Sequence, residues 1–155
     1  MAALLGLDPT RLLHATPPPA AASLKPGERF KGGHMLATWN HGLVSNAEGW
    51  RQMQNGGSAL DAVVEGTAVV ESDPTGTSVG LGGRPDRSGR VTLDACVMNG
   101  PDHEIGSVAG IEGVLHPVTA ARCVMERTPH AMLVGQGAKW FAEAQGLETY
   151  PTEEA

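Results

Sequence analysis

At 155 residues the chain is about one domain long by the usual ~150 residues per domain, and its 41% hydrophobic content is enough for a core. Aromatic content is only 4% while glycine reaches 21 residues, so the interior must rest on Ala and Val packed at close backbone distance. A net charge of −6, with 11 scattered Lys and Arg, excludes a binder of nucleic-acid phosphates, and no apolar run approaches the ~18 residues of a membrane span.

Residues 1–33 read as a weakly structured N-terminal extension, with a Pro17–Pro19 run, an Ala-rich stretch and one helical turn near Arg11–Leu13. The match to a secretory signal is poor, because no basic residue precedes the apolar start and Asp8, Pro9 and Arg11 interrupt it. The compartment stays open on this evidence. The folded part, 34–147, begins with His34–Trp39, a short glycine-bounded run that predicts a first strand. Ser45 and Glu48 form an S-x-x-E capping pattern that predicts a helix carrying Trp50 and Met53, stopped at Asn55-Gly56-Gly57.

Ser58 and Asp61 repeat the capping signal. Leu60, Val63, Val64, Thr67 and Ala68 then give a core-facing helical stripe, with Glu65 and Glu71 on other faces and Asp73-Pro74 as the stop. A glycine-dense loop follows over 75–90, where Arg84, Asp86 and Arg90 are expected to pin the chain by ion pairs. Val91–Met98 is a strand candidate in which Leu93, Ala95 and Val97 alternate with Thr92, Asp94 and Cys96. Asp94, if buried there, needs hydrogen bonds from the backbone rather than a chemical role. Ile105–Ala109 is the partner strand across the turn Asn99–Asp102. Pro117 opens a helix with Val118, Ala121, Val124 and Met125 on its apolar face, broken at Thr128-Pro129. Ala131–Val134 reads as a short buried strand and Gly137–Gln145 as a last helix ended by Gly146, after which 148–155 begins a linker. Hairpin-connected strands with clustered helices make the fold class α+β.

Local chemistry yields no complete catalytic set. Gly80-Leu81-Gly82-Gly83 imitates a dinucleotide loop, but Pro85 takes the third glycine position and the loop follows a helix instead of a strand. No G-K-[ST] is present, and the stretch Gly76-Thr77-Ser78-Val79-Gly80 does not fit the G-x-S-x-G of a serine hydrolase, which needs a strand-to-helix turn where this one follows a predicted helix. Among Asp61, Glu65, Glu71 and Asp73 a solvated helix face accounts for the first three. The six histidines never fall at i, i+4, so no metal site is expected. Cys96 and Cys123 lack metal or redox spacing and read as two buried reduced thiols.

As an ordered pattern the chain says more. Ala37-Thr38-Trp39-Asn40, GG-S-ALDAV, E-x-DPT, SVGLGGRPDRSGRVTLDACVMN, IGSVAG and P-x-x-x-AR-x-VME-x-TPH-x-MLVG follow one another from about Leu36 to Gly146. This resembles the α portion of a glycosylasparaginase (aspartylglucosaminidase), an N-terminal-nucleophile hydrolase. GGRPDRSGRVTLDA favours that branch over plant-type asparaginases and isoaspartyl peptidases, whose loop tends to carry N-A-G-x-G. The resemblance implies a four-layer αββα sandwich built jointly by α and β portions, and a precursor that cuts itself before a threonine. That threonine attacks the side-chain amide of a (glycosylated) asparagine, a small-molecule substrate, through a β-aspartyl ester, with its own α-amino group as base and no metal or organic cofactor. An (αβ)2 assembly is implied as well, with no nucleic-acid or membrane partner.

None of the chain's threonines follows His-Asp, the residues that precede the nucleophile in the family. The resemblance therefore places the nucleophile, the oxyanion donors and the substrate-gripping residues in a β portion, and makes this chain a trimmed α subunit or truncated precursor, inactive alone. Two residues carry over: Trp39 as a wall of the substrate pocket, and Ser78 as a catalytic support whose hydroxyl hydrogen-bonds the nucleophile. The alternatives are an L-asparaginase or isoaspartyl peptidase of the same superfamily, or an inactive fragment.

Overall fold

The computed structural model describes residues 33–152, so the extension expected over 1–33 lies outside the described residues apart from Gly33. The first helix, α1, spans Gly42–Gln54, four residues earlier than a Ser45 N-cap would start it. A turn closed by the Gly42 N–H on the Trp39 carbonyl (2.8 Å) starts it, and Ser45 already donates its N–H to the His41 carbonyl as an interior residue. The Ser45–Glu48 capping box is therefore not formed. Glu48 instead holds Arg51 and Gln52 across the next turn. The strand predicted at His34–Trp39 is absent too, because a strand exists only through its neighbour's hydrogen bonds and the three-stranded sheet offers this segment none.

The second helix, α2 (Ala59–Glu71), starts on the expected capping box: Ser58 Oγ accepts the Asp61 N–H at 3.1 Å, and Asp61 accepts the Ser58 N–H at 2.9 Å. Its buried surface is broader than the predicted stripe. Leu60, Val64 and Ala68 do face the core, but Ala62 and Gly66 are buried as well, whereas Val63 is half exposed. The reason is that α2 is flanked by both α1 and α3, so two of its faces lose water.

The strand β1 (Leu93–Asn99) pairs antiparallel with β2 (Glu104–Ile111), placing Cys96 opposite Ser107 and Met98 opposite Ile105. The register slips between Leu93 and Ala95, and there the Asp94 carboxylate, exposed and not buried, accepts the Gly110 N–H at 2.7 Å. The helix α3 (Pro117–Arg127) follows, then β3 (Leu133–Val134), parallel to β2, and α4 (Gly135–Ala144). The sheet order is β1-β2-β3. The architecture is thus α+β, with four helices and a small sheet among the described residues.

The core forms between the sheet and α3, where Val97, Val108 and Ile111 meet Val118, Ala121 and Val124, and Ala138 and Ala142 of α4 close its flank. Gly106 lets the layers come this close, since a β-carbon there would drive into the Ala121 carbonyl and the backbone at Met125. After α4 the chain returns beside 113–115: Leu115 N–H donates to the Glu148 carbonyl and Tyr150 N–H to the Gly113 carbonyl. The opposite sheet face has no such cover. Met98, Ile105 and Val134 share it through the pairings Met98–Ile105 and Ala109–Val134, and they stand 55%, 46% and 59% exposed.

Two outcomes test these elements. Gly106→Val should cost about 1–3 kcal/mol by overpacking, read as a lowered melting temperature. Asp61 is held at about 2 by the Ser58 hydroxyl first, then the Ser58 N–H and Arg122. A depressed carboxyl contributes stability that is complete above its ordinary value near 3.8 and is lost as pH falls through about 2. Ser58→Ala should cost ~1 kcal/mol and shift the Asp61 titration upward by carboxyl-carbon NMR. An unmoved titration would assign the depression to Arg122 instead.

Candidate functional site

The end of α2, the glycine loop, β1 and the start of α3 enclose a cleft of about 360 Å³. The five consecutive residues Thr92–Cys96 line it, and successive strand residues point to opposite faces, so the cleft runs along the free edge of β1. Ser78 stands on the opposite lip.

Local hydrogen bonds shape the loop that carries Ser78. Asp73 Oδ1 accepts the Thr75 N–H (2.9 Å) and hydroxyl (2.7 Å), which turns the chain out of α2 as the Asp-Pro stop predicts. Gly80, at φ +65°, brings the loop back so tightly that any β-carbon would collide with the main chain of Glu71. A short 3₁₀ turn, Gly80–Gly82, then closes with the Gly83 N–H on the Gly80 carbonyl. Ser78 is left exposed, with its hydroxyl free of any hydrogen-bonded base among the described residues.

Farther along, the expected ion-pair pinning takes a different form. Asp86 accepts from the Ser88 hydroxyl and from the N–H groups of Ser88 and Arg90, which lowers its pKa below the usual carboxylate range. Arg90 pairs with Glu112 at the end of β2, and Arg84 makes no ion pair among the described residues. A side-chain-capped turn and one long-range pair thus hold this stretch.

Glu71 is the residue that sequence reasoning missed. Expected on a solvated face, it is only 4% exposed and lines the cleft. Its place was legible: it lies seven residues beyond Val64 and three beyond Ala68, on the same helical stripe. Glu71 Oε1 accepts the Val118 N–H at 3.0 Å. Its Oε2 and His116 Nδ1 lie 3.5 Å apart, both buried and neither in a formed hydrogen bond. Leaving the Val118 N–H without an acceptor would cost about 1–3 kcal/mol.

Trp39 stands elsewhere, 71% exposed in the turn before α1 and not part of the cleft lining. The structure therefore brings together Ser78, Glu71 and Cys96 but leaves Trp39 apart. The burial expected of Cys96 is overturned: it projects from the uncovered sheet face into the cleft, because the strand alternation that buries Val97 turns its neighbour outward. Cys123 is buried as expected, and burial pushes its thiol pKa up. No group of three or more His, Cys, Asp or Glu among the described residues could hold a metal ion.

Comparison with known proteins gives this geometry a setting. A family model described as Asparaginase matches residues 38–155. The N(4)-(beta-N-acetylglucosaminyl)-L-asparaginase of Elizabethkingia miricola is 57% identical over 114 residues, covering 74% of this chain and 33% of that protein. The mouse (Mus musculus) protein of the same name is 42% identical over 113 residues, covering 73% and 32%. An isoaspartyl peptidase of Salmonella typhimurium is 46% identical over 99 residues, covering 64% and 31%. The chain thus spans about a third of the length of the curated relatives it matches.

The cysteines supply a direct check of the exposed face. In the folded chain Cys96 should react with a thiol reagent at the rate of an exposed thiol, and Cys123 only on unfolding. Equal rates would contradict the alternation of β1.

Proposed function

The chain belongs to the asparaginase family, and from that premise we propose that it is the α portion of an amidohydrolase that cleaves the side-chain amide of glycosylated asparagine. The observation that carries this reading is the one-sided sheet. Helices cover one face, while Met98, Ile105 and Val134 lie bare on the other beside the cleft that Ser78 edges. A second sheet from a β portion would bury that face and complete a four-layer αββα sandwich. The GGRPDRSGRVTLDA stretch and the 57% identity to a bacterial glycosylasparaginase support the choice of branch.

In this reading the nucleophile is the N-terminal threonine of the β portion. Its hydroxyl oxygen attacks the amide carbon while its α-amino group takes the hydroxyl proton and passes it to the leaving nitrogen. The C–N bond breaks, the amine departs, and water hydrolyses the β-aspartyl ester to release aspartate. Ser78 contributes a hydroxyl that can donate to or accept from the threonine oxygen and hold it on line. Trp39, exposed in this chain, becomes a wall of the substrate pocket when the β portion covers it. The α portion alone holds no nucleophile and does not turn over substrate.

The test is aspartate release by the full precursor product from glycosylated asparagine, free asparagine and a β-aspartyl dipeptide. The expected order puts the glycosylated substrate first, with this chain alone inactive. Ser78→Ala should lower kcat about tenfold, the value of one hydrogen bond of ~1.4 kcal/mol made in the transition state. Trp39→Ala should act mainly on KM. Preference for the dipeptide would move the protein to the isoaspartyl branch, and turnover by this chain alone would overturn the assignment of the nucleophile.

A further inference from the structure

We infer that Glu71 is a positioning residue for Ser78, acting by fixing the two walls of the cleft relative to each other. The inference rests on the reading of Ser78 given under the proposed function. It begins with the donors in the first turn of α3. Pro117 has no N–H, and the N–H groups of Thr119 and Ala120 both turn back to the His116 carbonyl. The Val118 N–H is left, and its acceptor is Glu71, 47 residues earlier in the chain.

One wall of the cleft is the start of α3, contributed by Pro117 and Val118. The other is the loop Ser78–Gly80, whose Gly80 rests directly on the main chain of Glu71. A single residue therefore meets both walls, with its side chain on one and its backbone on the other. The distance from Ser78 to α3 follows from how Glu71 is seated. That seat is fixed tightly, since Glu71 is almost wholly out of water and confined by His116 beside its second oxygen.

This role differs from general support of the fold. A residue that only stabilises the protein lowers the amount of folded enzyme, and its effect does not depend on what stands at position 78. A residue that acts through Ser78 loses its effect once the hydroxyl is gone. A double-mutant cycle on kcat, per mole of folded assembled enzyme, separates the two.

The variants are Glu71→Ala, Glu71→Gln, Ser78→Ala and the Glu71→Ala/Ser78→Ala pair in the complete α and β assembly, assayed on glycosylated asparagine. Glu71→Gln keeps an acceptor for Val118 and should hold kcat within about threefold of the parent, whereas Glu71→Ala should lower it about tenfold with KM little changed. In the Ser78→Ala background the Glu71→Ala loss should shrink to less than about threefold. If Glu71→Ala fails to assemble, Glu71→Asp replaces it in the same cycle, because its shorter arm cannot reach Val118 from the same backbone seat. Equal losses in both backgrounds, or no loss from either shortened variant, overturn the inference. An active assembly indifferent to Glu71 removes this inference alone, whereas an inactive parent assembly removes the functional reading and the inference with it.

Discussion

The structure turns on one hydrogen bond between elements far apart in sequence, from the Val118 N–H at the head of α3 to the Glu71 carboxyl at the foot of α2. Proline at the first position of α3 sets the helix angle but removes a donor, and the next donor then needs a partner within a buried junction. With that partner supplied, α2 and α3 are registered at one end. The Arg122–Asp61 pair, at 2.7 Å, joins them again, from the first turn of α2 to the middle of α3. The second contact is partly exposed and so worth little by itself. The first is buried, and its cost if broken is larger than its worth if made. Two helices joined at two points form one layer, and the hairpin β1–β2 packs against its α3 member.

That layer covers only half of what the sheet requires. Antiparallel sheets commonly keep one face in water, but such a face is ordinarily polar. Here the side chains opposite one another on the outer face are Met98 and Ile105, with Val134 beyond and Cys96 beside them. The chain matches about a third of the length of its relatives, and an exposed apolar patch of this kind is what a contact surface presents. The low aromatic content fits a core of this kind, since thin alanine and valine layers allow the close approach seen at Gly106.

Sequence reasoning succeeded where the signal was local and the partner lay a few residues away. The Ser58–Asp61 box, the Pro117 start, the hairpin turn after Asn99 and the Gly146 stop all rest on contacts within a single turn of chain. It failed where the outcome depended on distant neighbours. His34–Trp39 has strand composition but no adjacent strand among the described residues. Ser45–Glu48 has capping composition, yet the preceding Trp39–His41 turn had already begun the helix. Glu71 looked solvated because its residue type outweighed its helical phase, and the acceptor need that buries it comes from a proline forty-six residues later, at Pro117. Of the candidate site, Ser78 was legible through its motif and Glu71 only through periodicity. The separation of Trp39 from the cleft was not legible, since it depends on how the chain enters α1.

The position of α1 has a consequence for motion. It packs on α2 and makes no comparable contact with any other element, and its fully buried positions are Gly42 and Gly49, which contribute no side-chain area. When α1 opens it has one neighbour to part from, whereas α3 must leave both strands of the hairpin and α2. Trp39, exposed in the turn that enters α1, depends on that one-sided packing. Ser78 lies two residues before Gly80, which packs on the main chain of the buried Glu71.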